Sequence, residues 1–249
     1  MSKTLPTIVI LHGWSLEKEL KNRWQPLMTL LTDHGFQVKY LSLPGFDLSL
    51  ETSWKLNDYR DYVLDHTKKY NKVVILGHSF GGQIASRVAA SKPKNLIAMV
   101  LIGPSGIIDG RWRMKMKRAV FKNLAKGGEG LLGFIGQKES SISYLFLQKK
   151  LHHFAREKDY LEAPDILKIT MRNVLSDEIK EDLSRIDVPT LIFWGDQDKF
   201  TPINHAAIFT AYIPNAQLRL LRGEGHRPYF TQPELLAQNI ANFLHKNVA

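Results

Sequence analysis

The chain has 249 residues, 44% of them hydrophobic, enough to bury a substantial core in one large domain or in a domain carrying an insertion. With no cysteine, it has no disulfides, no thiolate nucleophile and no cysteine-ligated metal. The 34 basic and 24 acidic residues leave a formal charge of +10, which bears on solubility and non-specific attraction and not on fold.

Residues 1–6 run directly into an apolar strand pattern, without a signal-peptide core or a small-residue cleavage site, and no run approaches a membrane span. A soluble, cytoplasmic protein is the default expectation. Thr7-Ile8-Val9-Ile10-Leu11 reads as a strand and is followed at once by His12-Gly13-Trp14. A helix is predicted over 24–34, with Trp24, Leu27, Met28, Leu30 and Leu31 near one face and Gly35 as its stop. A strand over 37–43 ends at Pro44-Gly45, and 53–70 carries the next helical pattern.

The β-branched run over 72–76 then leads into Gly77-His78-Ser79-Phe80-Gly81-Gly82, and Ile84, Ala85, Val88 and Ala89 recur at helical spacing until Pro93. A Gly-x-Ser-x-Gly pattern between strand and helix reads as a nucleophile elbow. Its serine is held on a strained turn with the hydroxyl projecting, and small neighbours let the flanking backbone pass closely. The same turn aims the Phe80 backbone N–H and the following helix N-terminus at a developing oxyanion. The competing reading is a glycine-rich turn with an incidental serine.

A strand over 96–102 ends at Gly103-Pro104-Ser105-Gly106, after which the β-α rhythm stops. Residues 109–185 are expected to form an inserted, mostly helical segment, with 1–108 and 186–249 as the core. Alternation resumes with strands over 188–194 and 217–221 and helices over 204–212 and 234–245. Repeated β-α units imply a parallel sheet covered on both faces, with ligands at the carboxyl ends of the strands.

A serine needs a base to take its proton and a carboxylate to orient that base. Gly195-Asp196-Gln197-Asp198-Lys199-Phe200-Thr201-Pro202 follows one late strand, and Gly223-Glu224-Gly225-His226 follows the other. Ser, Asp, His is the chain order of the α/β-hydrolases. With His12-Gly13-Trp14, the elbow, the Gly-x-x-Asp-x-x-x-Pro stretch and Gly225-His226 in sequence, the chain resembles that superfamily everywhere outside 109–185, as a cap-bearing serine hydrolase of esterase type.

The resemblance implies an α/β-hydrolase fold with a mostly parallel sheet of about six strands, lacking the N-terminal hairpin of many relatives, plus a helical cap at 109–185. It implies a catalytic triad of Ser79 as nucleophile, His226 as general base and then acid, and Asp198 as orienting carboxylate. Asp196 is the rival for the acid, with a turn-stabilising role as its simpler reading. The backbone N–H groups of Phe80 and Trp14 would form the oxyanion hole, and both side chains would wall the acyl pocket; aromatic core packing is the plainer account of the rings. No cofactor and no metal are expected, and a small-molecule acyl substrate is.

The other histidines read as structural. His34, His66 and His245 fall in or at the ends of helices, His12 and His78 orient their loops, and His152-His153 suit a solvated helix. From Arg111 to Lys126 there are seven basic and no acidic residues, interleaved with Trp112, Met116, Val120 and Leu124. A cap helix with its charges in water accounts for this stretch. Membrane-surface contact through 111–126 and attraction of an anionic substrate are the alternatives, while no module for nucleic acid accompanies the charge. The glycine-rich run 127–136 reads either as a hinge or as an ordered loop.

Two further readings stand beside the ester hydrolase. Phe193-Trp194-Gly195 and Ile102-Gly103-Pro104 are similar to stretches of hydrolases that cleave a carbon–carbon bond in ring-cleavage products. A ligand-binding protein that keeps the fold but turns over negligibly is the non-enzymatic option, and the full set of motifs argues against it. An elbow without Gly-x-Gly-x-x-Gly spacing disfavours dinucleotide binding.

Overall fold

The computed structural model describes residues 5–17, 19–108 and 163–248. The chain divides into two compact units, Met1–Gly106 with Pro164–Ala249, and Ile107–Ala163. The basic stretch 111–126, the glycine run 127–136 and His152-His153 lie outside the described residues, as does most of the expected 109–185 insertion.

Within the first unit the chain runs β1 (Thr7–Leu11), α1 (Leu20–Asp33), β2 (Gln37–Leu41), α2 (Leu56–Thr67), β3 (Val73–His78), α3 (Phe80–Ala90) and β4 (Leu96–Ile102). After the second unit come α4 (Asp165–Ser176), α5 (Lys180–Leu183), β5 (Thr190–Gly195), α6 (Asn204–Tyr212), β6 (Ala216–Leu221), α7 (Pro228–Thr231) and α8 (Pro233–Val248). The six strands form one sheet in the order β2-β1-β3-β4-β5-β6, and every neighbouring pair is parallel.

Burial follows from that order. Strands β1, β3 and β5 are buried at every position, as continuous apolar runs covered on both faces must be. The edge strands β2 and β6 carry exposed positions, among them Lys39 and Arg219, which suit the rim of a sheet. On one face Ile8, Ile10, Val74, Leu76, Val100 and Phe193 meet Trp24, Leu27 and Leu31 of α1 and Leu236, Ile240 and Leu244 of α8. Alternation sends Val9, Ile75, Met99 and Ile192 to the other face, where α3 packs on β1, β3 and β4 and meets α2. Each such apolar side chain contributes about 1.5–3 kcal/mol by leaving water, so the centre of the sheet carries much of the burial that holds the fold together. The loops at the carboxyl ends of β1, β3, β4, β5 and β6 are anchored there. Among the described residues no helix is long and apolar enough to cross a membrane.

Candidate active site

Ser79 is the single residue between β3 and α3, with φ 51° and ψ −114°. For a residue with a Cβ this is strained backbone, costing about 1–3 kcal/mol, and the surroundings hold it. The Ser79 N–H donates to the Ile102 carbonyl at 3.0 Å, while its own carbonyl accepts from the N–H groups of Gly82 (2.9 Å), Gln83 (3.1 Å) and Ser105 (3.1 Å). The spacing of the motif follows from contact. A Cβ on Gly77 would sit 2.5 Å from the Gly81 carbonyl oxygen, and one on Gly81 would overlap the Leu11 carbonyl oxygen, so strand, turn and helix close up only with glycine at both.

The serine is 4% exposed, and its hydroxyl does not cap α3. Beside it lies the His12-Gly13-Trp14 loop, where a Cβ on Gly13 would come within 3.3 Å of the Ser79 Cβ. Among the described residues the backbone N–H groups of Trp14 and Phe80 have no hydrogen-bond partner. That of Phe80 also stands at the positive end of the α3 dipole, where an anion is favoured.

At the ends of β5 and β6, His226 Nδ1 donates to Asp198 Oδ2 at 2.7 Å. The side chains are 9% and 1% exposed, so the bond is largely shielded from water. Asp198 Oδ1 accepts the N–H groups of Phe200 (2.8 Å) and Thr201 (2.9 Å), and the Thr201 hydroxyl reaches Oδ2 at 2.8 Å. Burial alone would push this carboxyl up. The bond and charge of His226 together with the two Thr201 bonds outweigh it, and the group lies below its ordinary value, ionised at neutral pH. A carboxylate on Nδ1 fixes the histidine tautomer with Nε2 as a bare acceptor, the form that can take a proton.

Asp196, two residues earlier, is exposed; its Oδ1 accepts the Gly223 N–H at 2.8 Å and so ties the β5 loop to the β6 loop. Asp196 thus serves the turn, and the carboxylate bonded to His226 is Asp198.

His78 and His12 are both fully buried and both held neutral by that burial, His78 well below the ordinary histidine value. His78 Nε2 donates to the His226 carbonyl at 2.8 Å, and His12 Nδ1 donates to the Gly13 carbonyl at 2.7 Å. His66 bonds its own helix at the Tyr62 carbonyl, and His245 packs on Phe36.

Trp14 and Phe80 meet edge to face with centroids 5.9 Å apart. Phe46, which carried no motif, completes the cluster at 5.0 Å from Trp14 and 5.8 Å from Phe80. Gln83, one turn into α3, is wholly buried; its amide donates to the Val174 (2.8 Å) and Asp177 (2.7 Å) carbonyls and its Oε1 accepts from the Ser105 hydroxyl at 3.1 Å. Thr201 and Tyr229, which stacks on Trp24 at 3.9 Å, are likewise supports with no signature of their own. Only Thr201 sits inside a motif, the Gly-x-x-Asp-x-x-x-Pro stretch.

Among the described residues no group of three or more His, Cys, Asp or Glu could hold a metal ion. What the arrangement can do is hold a serine on a strained turn, present two unengaged N–H donors beside it, and keep a histidine oriented by an ionised carboxylate.

Residues 6–233 match the family of the alpha/beta hydrolase fold. The chain is 25% identical over 242 residues to the pimeloyl-(acyl-carrier protein) methyl ester esterase of Legionella pneumophila (strain Paris), covering 95% of this chain and 94% of that relative. To the uncharacterized hydrolase YugF of Bacillus subtilis (strain 168) it is 26% identical over 254 residues, with 96% and 89% covered. A solved structure of a thermophilic esterase from Thermogutta terrifontis is similar in fold, with a TM-score of 0.68 at 20% identity over 98% of this chain and 91% of that one. With a six-stranded parallel sheet and a strained serine at the end of its central strand, the chain belongs to the alpha/beta hydrolase fold family.

Proposed function

We propose that this chain is a serine hydrolase that cleaves carboxylic esters through an acyl-enzyme on Ser79. The observation that carries the reading is the 2.7 Å bond from His226 to the shielded Asp198 carboxylate, at the strand ends of a sheet whose central strand delivers Ser79 at φ 51°. The Ser79 oxygen attacks the acyl carbon while His226 Nε2 takes its proton. The negative charge that develops on the carbonyl oxygen is met by the N–H groups of Trp14 and Phe80. As the carbon–oxygen bond to the leaving group breaks, His226 returns the proton to the departing alcohol. Water, deprotonated by the same nitrogen, then releases the acid and restores the serine. Asp198 stays ionised throughout and holds the ring in place. No cofactor enters these steps.

Trp14 and Phe80 are assigned to the acyl pocket, with Phe46 beside them. Of the expected cap at 109–185, residues 164–185 belong to the first compact unit, and the remainder is assigned the setting of substrate size. The relatives named as esterases support an ester, since the likeness runs along almost the whole of both chains. A panel of p-nitrophenyl and methyl esters of graded acyl length tests the reading, with a pimeloyl methyl ester on acyl-carrier protein included. Hydrolysis of at least one member, lost in Ser79→Ala, is the expected result. A folded protein that hydrolyses none, or a Ser79→Ala variant as active as the wild type, contradicts it.

A further inference from the structure

The Thr201 hydroxyl stands where three groups converge. It lies 2.8 Å from Asp198 Oδ2, 3.1 Å from the Gly103 carbonyl oxygen and 3.4 Å from His226 Nδ1. A hydroxyl has one proton and can donate it to the carboxylate or to the carbonyl, while its lone pairs face the histidine N–H. The side chain is 4% exposed, so water does not substitute readily for either partner.

Its backbone needs no help from that hydroxyl. The Thr201 N–H donates to Asp198 Oδ1 at 2.9 Å, and its carbonyl accepts the Trp194 indole N–H at 2.9 Å. Both bonds survive replacement by valine, which has nearly the same shape. The third partner is set by space: a Cβ on Gly103 would come within 3.0 Å of Asp198 Oδ2, 3.1 Å of Thr201 Oγ1 and 3.3 Å of His226 Nδ1. Gly103, at φ 47°, is thus the floor on which the threonine, the carboxylate and the imidazole meet.

We infer that Thr201 is a positioning residue whose hydroxyl fixes Asp198 Oδ2 in line with His226 Nδ1–H, so that His226 keeps the tautomer needed to take the Ser79 proton. Without it, Oδ2 has one donor where it had two, and the carboxylate is aimed at His226 only by the two main-chain bonds to Oδ1. The inference rests on the assignment of Ser79, His226 and Asp198 under Proposed function.

The test follows the reaction of the protein with a fluorophosphonate, read as the limiting rate of Ser79 modification and the half-saturating concentration, in wild type, Thr201→Val, Thr201→Ser, Ser79→Ala and His226→Ala. The downfield proton signal of His226 Nδ1–H is recorded in parallel. Thr201→Val should lower the limiting rate about tenfold, the scale of one hydrogen bond to a charged group, leave half-saturation unchanged and displace the Nδ1–H signal. Thr201→Ser, which restores the hydroxyl, should recover most of the rate and the signal; it also guards against a valine variant that does not fold. A valine variant with wild-type rate and signal, a loss confined to half-saturation, or a serine variant as slow as valine overturns the inference. If Ser79→Ala and His226→Ala react like the wild type, or the wild type takes no label on Ser79, the assignment beneath it fails, and the inference fails with it.

Discussion

His78 Nε2 donates to the main-chain carbonyl of His226 at 2.8 Å. The residue before the elbow serine therefore holds the loop that carries the histidine, across 148 positions of sequence. The His78 ring also lies 4.6 Å from the His226 ring and 4.8 Å from Tyr229, whose own ring stacks on Trp24. Replacing His78 with alanine removes the bond and the packing together. The expected cost is about 2–4 kcal/mol of stability, read by urea unfolding, with slower fluorophosphonate labelling of Ser79 in the protein that remains folded.

Stability should fall as the solution is acidified, in a window set by His78 and His12. Both have values lowered by burial from the ordinary 6.5, so in the folded protein both stay neutral where the unfolded chain takes up protons. Their contribution is complete above about pH 6.5 and is lost as pH drops below it, at up to about 1.4 kcal/mol per pH unit for each ring. Urea midpoints from pH 7.5 to 5.5 measure the slope. His12→Phe, which removes one of the two groups, should flatten it; an unchanged slope contradicts the assignment.

The two aspartates of the β5 loop should separate cleanly. Asp198→Asn is expected to lower ester hydrolysis roughly 10³–10⁴-fold, since an amide can hold His226 in the wrong tautomer. Asp196→Ala removes the acceptor for the Gly223 N–H, so it should cost about 1 kcal/mol of stability and leave activity within about threefold. Because the Asp198 value is lowered, its stabilising effect is present above the ordinary carboxyl value of 3.8 and is lost as pH falls through the folded one. The gap in stability between wild type and Asp198→Asn should accordingly hold at pH 5 and above and close below about pH 4.

Gly103→Ala places a methyl against Asp198 Oδ2, Thr201 Oγ1 and His226 Nδ1 in a left-handed backbone conformation. The backbone alone should cost about 1–2 kcal/mol. Activity should fall by about tenfold or more, because the methyl presses on the aspartate–histidine pair; wild-type turnover would show that the pair tolerates the displacement.

The fold was legible because a doubly covered parallel sheet writes its strands as apolar runs. Val73–His78 and Leu96–Ile102 lie where their β-branched residues indicate, and Gly77 and Gly81 bracket the serine for a steric reason that works within one turn. Strand β2 is shorter than its pattern, stopping at Leu41 and not at residue 43, because its one ladder partner, β1, ends at Leu11, the residue paired with Leu41. The four-residue α7 at Pro228–Thr231 has too short a pattern to show. Less legible still were the supports. His78 to His226, Gln83 to Val174, and Thr201 to Gly103 join side chains to main-chain carbonyls some 90 to 150 residues away, and a carbonyl is the same in every residue. Such bonds leave no compositional trace, whereas a glycine at a forced contact does.

Every role proposed for His226, Asp198 and the two N–H donors depends on Ser79 as the nucleophile. The measurement that tests it is peptide mass after fluorophosphonate treatment of wild type and Ser79→Ala. A single adduct on the peptide that contains Ser79, absent from the variant, is the predicted result. An adduct on another residue, or none on a folded protein, contradicts it.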